Sequence, residues 1–409
     1  MKKHDNIIKS LLVAFTLSMI FVSGSVTAHG KSASSQSTPW TANKDLKQEL
    51  PAKRNRFSKH FVMNNGEFRM YTSPSSIHYQ TANGWQEIDN TVQANNSGVY
   101  ASHPYYNGSN AFKTYYPASI QNGQILTTLA EGSISESLEG FYAVNQSGQT
   151  VYQYTANAVN ATPSDNQLAY VNLFPNTTAR YAQQNDGRKF DLILQNNQML
   201  NSLPASAKYL VIKEKINIPA SWSVSQSENG INIYQGNTWL ACLPKPVAYE
   251  NPNSGKTNQS DNDMMLEGSN SFTRNGNELT VYTKFDLAWL QDPQRAYPVN
   301  LDPTVQYYPF AVSMATGRMT SAAGAKTSGA LRLGGTGGGI SWAKFDISTL
   351  PAGATISAAN YFGVHYSGTS TGAGIFKLAY IIGMQAVDPV AALNSAINTQ
   401  IVSTGPVYS

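Results

Sequence analysis

One cysteine, Cys242, is all that the 409 residues contain. Without a partner it forms no internal disulfide, so the crosslinked framework of small exported domains is excluded. Its surroundings, Trp239-Leu240-Ala241-Cys242-Leu243, are apolar, which predicts a buried, inert thiol. Charge is scarce as well. Asp, Glu, Lys and Arg make up 13% of the chain, roughly half the usual share of about 25%. Residues 1–28 hold three Lys and one Asp, so the remainder carries 25 basic against 23 acidic residues, a net of +2. No basic face for nucleic acid follows from that balance. Of six histidines, His60, His78, His103 and His365 lie beyond the first 30 residues, none paired at metal-ligand spacing, so no metal site and no cofactor are implied. Long helices are missing too, since nowhere do twelve residues keep an apolar spacing of 3.6.

What is present begins with an export signal. Lys2, Lys3 and Lys9 precede an apolar run from Leu11 to Val22, and Val26-Thr27-Ala28 supplies the small residues a signal peptidase reads. This predicts a signal peptide over residues 1–28 and a mature protein starting near His29. The run falls short of the roughly 20 apolar residues of a membrane anchor, and no membrane span is expected after its removal. Residues 29–53 are rich in Ser, Gln and Lys and read as a flexible leader, with folded sequence starting near Arg54.

From there Asn-Gly recurs at 65–66, 83–84, 107–108, 122–123, 229–230 and 275–276, with Asp186-Gly187 beside them. Asn-Gly supports the positive φ angles of the tight turn whose twist suits paired strands, so several of these sites are predicted hairpin tips. Ile77 to Ala82, then Asn83-Gly84, then Trp85 to Asp89 is the clearest case. Short strands between polar turns predict an all-β fold of stacked antiparallel layers. Asn251 to Ser271, dense in Asn, Ser, Asp and Gly, reads as a long exposed loop. A boundary falls near Asp302-Pro303-Thr304-Val305, beyond which the chain turns Gly-, Ala- and Ser-rich. The expected domains are a β-rich N-terminal region over 54–305 and a β-sandwich over 306–409. The second is short of strands for a complete sandwich, which suggests a fragment of a longer protein.

Several motifs invite chemistry and are answered by blander readings. Gly368-Thr369-Ser370-Thr371-Gly372 matches the G-x-S-x-G of serine hydrolases, but that chemistry needs a downstream His, and none follows. Gly334 to Gly339 lacks the Lys-Ser/Thr end of a phosphate cradle and reads as a loop. Asp261, Asn262, Asp263 and Glu267 offer oxygen ligands for Ca²⁺, yet Met264 and Met265 interrupt the pattern. His78 alternates with Ile77 and Tyr79, which favours packing or hydrogen bonding over ligation. Asp89, Asp302 and Asp346 suit structural bonds to turn amides. Trp85 and Trp222 are the candidate sugar-stacking residues, with core packing as the alternative. No catalytic residue is assigned.

Four stretches together resemble a known group. Phe68 to Tyr71 with Ile77-His78-Tyr79 and Gly84 to Thr91 resembles the opening of large secreted bacterial wall-associated and Rhs-type surface proteins. Tyr170 to Asn176 with Gly187 to Leu194 is similar to a segment of the same proteins and of bacterial adhesins. Trp289-Leu290 with Arg295 to Val305 resembles the junction that ends this region. Phe345 to Ile356 resembles the core of a DNRLRE-like β-sandwich, related to carbohydrate-binding modules, although the string that names that domain is absent. The resemblance implies a secreted or cell-surface location and a non-catalytic scaffold or adhesin role. Cell-wall or extracellular glycans, or other surface proteins, are the partners it implies. Two alternatives stand beside it: an extracellular carbohydrate-binding module, and an extracellular hydrolase whose carboxylate pair is invisible in sequence. Two facing carboxylates in a cleft would favour the hydrolase.

Overall fold

The computed structural model describes residues 44–73, 75–227, 230–250 and 265–308, residues 349–351 and 355, and the backbone of strands at 16–18, 316–319, 326–328, 340–343, 360–364 and 373–376. The signal-peptide reading otherwise lies outside the described residues. Strand accounts for 56% of the structure against 5% helix, the all-β class that the turn chemistry predicts. Two compact units emerge, one over 87–310 and one from the segments on either side of it. The larger unit is the one over 87–310.

Two large antiparallel sheets form the 87–310 unit. At the centre of the first is a strand of 13 residues, Gly132–Val144. Its first half pairs with Ile125–Leu129 and its second half with Thr150–Tyr154. Along its other side runs Tyr209–Asn217, followed by Glu278–Asp286. Residues alternate strictly in and out along Glu278–Asp286, with Leu279, Val281, Thr283 and Phe285 inward, as expected of a strand with one wet face. Gly276-Asn277 turns Ser269–Asn275 back onto it, with Asn275 opposite Glu278, and Gly276 adopts φ +58°, a conformation costly for residues with a Cβ.

The second sheet contains the meander Gln167–Phe174, Thr177–Gln184 and Gly187–Leu194. All eight residues of Gly187–Leu194 are buried, so this strand has both faces covered. Its outer neighbour is shared. Gly187 and Arg188 pair with Val305–Tyr307, whereas Leu192 to Leu194 pair with Val299–Asp302. Pro303 separates those two partners, and Pro carries no N–H for a ladder. The Phe190 N–H at this break reaches Thr304 Oγ1 instead, at 3.4 Å.

Two hydrophobic clusters lie between the sheets, each drawing on both. One contains Phe141, Leu210 and Phe285 from the first sheet with Tyr170, Phe190 and Leu192 from the second. The other joins Ile134, Leu279 and Val281 to Trp222, Ile233 and Leu240. Burial from two facing sheets is the arrangement of a β-sandwich.

Two polar segments are more ordered than their composition predicts. Residues 46–53 of the expected leader are folded: Leu46–Glu49 pairs with Ser58–Met63, and Glu49 holds Arg54 through contacts of 2.6 and 2.9 Å. Ser58–Met63 then pairs with Phe68–Thr72. Of the expected loop 251–271, residues 251–264 lie outside the described set. Met265–Glu267 and Ser269–Asn275 are strands. Their side chains are largely solvent-facing, so polarity there reflects sheet position rather than absence of structure.

Candidate functional site

The residues singled out from sequence scatter through the fold. Trp222 is 1% exposed within the second core, where its ring covers Gly132 so closely that a Cβ there would lie 3.1 Å from it. A ring so placed packs instead of meeting a sugar. Trp85 is half-buried on the Gly84–Glu87 strand. His78 is buried, with Nδ1 2.7 Å from the Asn55 carbonyl, a packing and hydrogen-bonding role. Cys242 is free and buried, and burial pushes its thiol up to about 12. Asp89 Oδ1 accepts from Thr91 N–H at 2.9 Å and Asp302 Oδ1 from Thr304 N–H at 3.1 Å, the turn-amide bonds expected of both. Glu267 pairs with Lys245 at 2.6 Å. Asp261, Asn262, Asp263, Gly334 to Gly339, Asp346, His365 and Ser370 lie outside the described residues. Among the described residues no cluster of three or more His, Cys, Asp or Glu suits a metal ion, and no helix is long and apolar enough to cross a membrane.

Chemistry concentrates at two buried clusters. The first lies between the sheets. Glu136 on Gly132–Val144 is opposite Ile216, and Glu214 is opposite Leu138, so the two glutamates are diagonal neighbours on one face. They are 3% and 5% exposed. Arg188 reaches across from the second sheet and pairs with Glu136 Oε2, while Tyr307 donates to Glu136 Oε1 at 2.8 Å. Arg188 is thus the ion-pair partner of Glu136, and its charge also acts on Glu214. Burial, then the charge of Glu136, pushes Glu214 up to about 8 despite Arg188, so it is protonated at neutral pH. A neutral acid beside a carboxyl paired with a cation is an arrangement general acid–base catalysis uses, but here neither carboxyl meets solvent.

The second cluster spans four adjacent strands, Thr177–Gln184, Gly187–Leu194, Val299–Asp302 and Val247–Glu250. Arg180 is directly opposite Asp191, and donates to its Oδ2 at 2.5 and 3.2 Å. Lys189, two residues before Asp191 on the same face, places Nζ 2.6 Å from Asp191 Oδ1 and 2.5 Å from Asp302 Oδ2. Tyr249 completes the cluster: its hydroxyl accepts from Lys189 Nζ at 2.9 Å and donates to Asp191 Oδ1 at 2.7 Å. Lys189 and Asp191 are each 1% exposed. Asp191 is held below the ordinary carboxylate range by Lys189 and Arg180, which outweigh its desolvation. For Asp302, desolvation and the neighbouring Asp191 charge prevail, and its carboxyl is raised.

In the other unit His60 is buried among Ser58, Thr349 and Met70. His60 Nε2 lies 2.9 Å from Thr349 Oγ1 but 3.4 Å from Ser58 Oγ, and that Ser hydroxyl donates to Asn55 Oδ1 at 2.8 Å. The Ser proton is therefore not offered to the imidazole, as a nucleophile–base pair requires. An aromatic group elsewhere contains exposed Tyr100 with Tyr106 and Tyr115, at interplanar angles of 63° and 18° to Tyr115. These rings form no flat row.

Spacing rules pass over the two clusters because Glu136, Glu214, Tyr249, Asp302 and Tyr307 come from strands remote in sequence from Arg180, Arg188, Lys189 and Asp191. One signal was available. Arg188, Lys189 and Asp191 stand in the stretch that follows the Asp186-Gly187 turn, whose other side chains are Phe, Leu and Ile, and charges among such residues demand buried partners. Comparison with protein-family models, with curated proteins and with solved structures returns no match.

Proposed function

We propose that this chain is a non-catalytic scaffold or adhesin region of a secreted or cell-surface protein, displaying or retaining more distal parts. The observation that supports it best is the use of the ionisable side chains. In a charge-poor chain, Glu136, Arg180, Arg188, Lys189, Asp191 and Asp302 pair with one another inside the sandwich. Groups so engaged tie strands and sheets together, and are shut away from any substrate. The N-terminal pattern of Lys residues, apolar run and Val26-Thr27-Ala28 supports export.

The test is expression in a bacterial host with residues 1–28 in place, followed by N-terminal sequencing and protease treatment of intact cells. The expected result is a chain starting near His29, found in the medium or cut on the cell surface. An unprocessed chain retained inside the cell would overturn the proposal. A pull-down on insoluble glycans and purified cell wall separates scaffold from carbohydrate-binding module. Saturable binding lost in Trp85→Ala would move the assignment to glycan recognition.

A further inference from the structure

The second cluster holds an amine and a carboxyl in reacting proximity. Lys189 Nζ lies 2.5 Å from Asp302 Oδ2, so the Asp302 carboxyl carbon is only one bond further away, near the roughly 3–3.5 Å of a reactive encounter. The opposite oxygen, Oδ1, accepts the Thr304 N–H at 3.1 Å and the Thr304 hydroxyl. Those donors face the atom on which negative charge would gather if Cγ were attacked. Asp191 Oδ1 touches the same amine at 2.6 Å and is anchored by Arg180 and Tyr249. The geometry points to an autocatalytic condensation of Lys189 with Asp302, giving an amide cross-link between Lys189 Nζ and Asp302 Cγ.

The charges of the cluster permit it. Lys189 and Arg180 oppose Asp191 and Asp302, and transfer of one proton from Lys189 to Asp302 leaves two neutral reactants beside an intact Arg180–Asp191 pair. Burial favours neutral over charged partners, and it raises the Asp302 carboxyl. The lysine is held in its charged form by Asp191 and Asp302, so the ion pair is the resting arrangement and the neutral pair the reactive one. The neutral amine attacks Cγ, and charge collects on Oδ1 against the Thr304 donors. Asp191 takes a proton from the nitrogen and returns it to the departing Oδ2, which already carries the transferred proton and leaves as water. One C–N bond forms, one C–O bond breaks, and no oxidant or other reactant is consumed.

Such a bond would close a loop between residues 113 apart in sequence, restricting the unfolded chain as a disulfide does, in a protein that has no disulfide. It does not depend on where the protein resides, so it stands or falls separately from the scaffold assignment.

The test is intact-mass measurement and tryptic mapping of the purified full chain, fresh and after prolonged incubation. The expected result is a mass lower by one water and a branched peptide joining residues 189–208 to 296–318. Lys189→Met abolishes both. Asp191→Asn, folded by circular dichroism, loses the branched peptide because the proton carrier is gone. Asp302→Asn keeps the attack on Cγ but releases ammonia in place of water, a mass difference that assigns the reacting carbonyl even if the Asp191 variant fails to fold. A folded wild-type protein with unaltered mass and separate peptides after incubation would overturn the inference.

Discussion

Replacing Glu214 by Gln tests the reading of the inter-sheet cluster most directly. In the folded protein Glu214 titrates at about 8, whereas an unfolded glutamate titrates near 4.3. Because the folded value is the higher one, the folded state binds the extra proton between these limits. The associated stability is fully present below the unfolded value and is lost as pH rises through the folded one. At about 1.4 kcal/mol per pH unit, flattening as the folded value is reached, wild type loses about 2 kcal/mol between pH 6 and pH 8 from this group. Gln keeps the shape and a neutral side chain at all pH values, and so lacks this loss. Urea unfolding of both proteins at pH 6, 7 and 8 should show the wild-type midpoint falling relative to the variant, with equal m values. Parallel profiles across that range would refute the claim that Glu214 is a protonated acid in the folded protein.

Arg188→Met leaves Glu136 buried without its cation and should cost about 3–5 kcal/mol, read from the same unfolding curves. Combining it with Glu136→Leu should recover much of the loss, since removing both charges restores an apolar pair. Trp222→Ala empties the space over Gly132 in the second core and should destabilise by about 3–5 kcal/mol; thermal melting checks it, and a smaller effect would deny the ring its core role. Cys242 should resist a thiol reagent at neutral pH in the native protein and react fully in denaturant, since burial keeps the thiol protonated.

Local chemistry made much of this protein legible. Asn83-Gly84 and Asn275-Gly276 announce hairpins because a glycine there takes the positive φ a tight turn needs, and Gly84 and Gly276 adopt +91° and +58° in the structure, although the turn itself falls one residue on at Gly276-Asn277, where Asn275 is opposite Glu278. Asn107-Gly108 opens the longer loop of a hairpin in which Asn107 is opposite Thr114, and the Asn107 side chain also donates to the carbonyls of Asp89 and Thr91, partners a turn rule never sees. The burial of Cys242 followed from its neighbours, and the turn-amide bonds of Asp89 and Asp302 from residues two positions on. Polarity misled at Leu46–Glu49 and Ser269–Asn275, where strand pairing satisfies the backbone while polar side chains face water. The clusters belonged to tertiary structure altogether. Glu136 meets Arg188, and Lys189 meets Asp302, only after sheets and strands far apart in the chain come together. Sequence by itself determined strands, turns and the apolar surface that drives them together, because those depend on residues a few positions apart. Which buried charge answers which was decided by strand order and register, properties that no local stretch of chain contains.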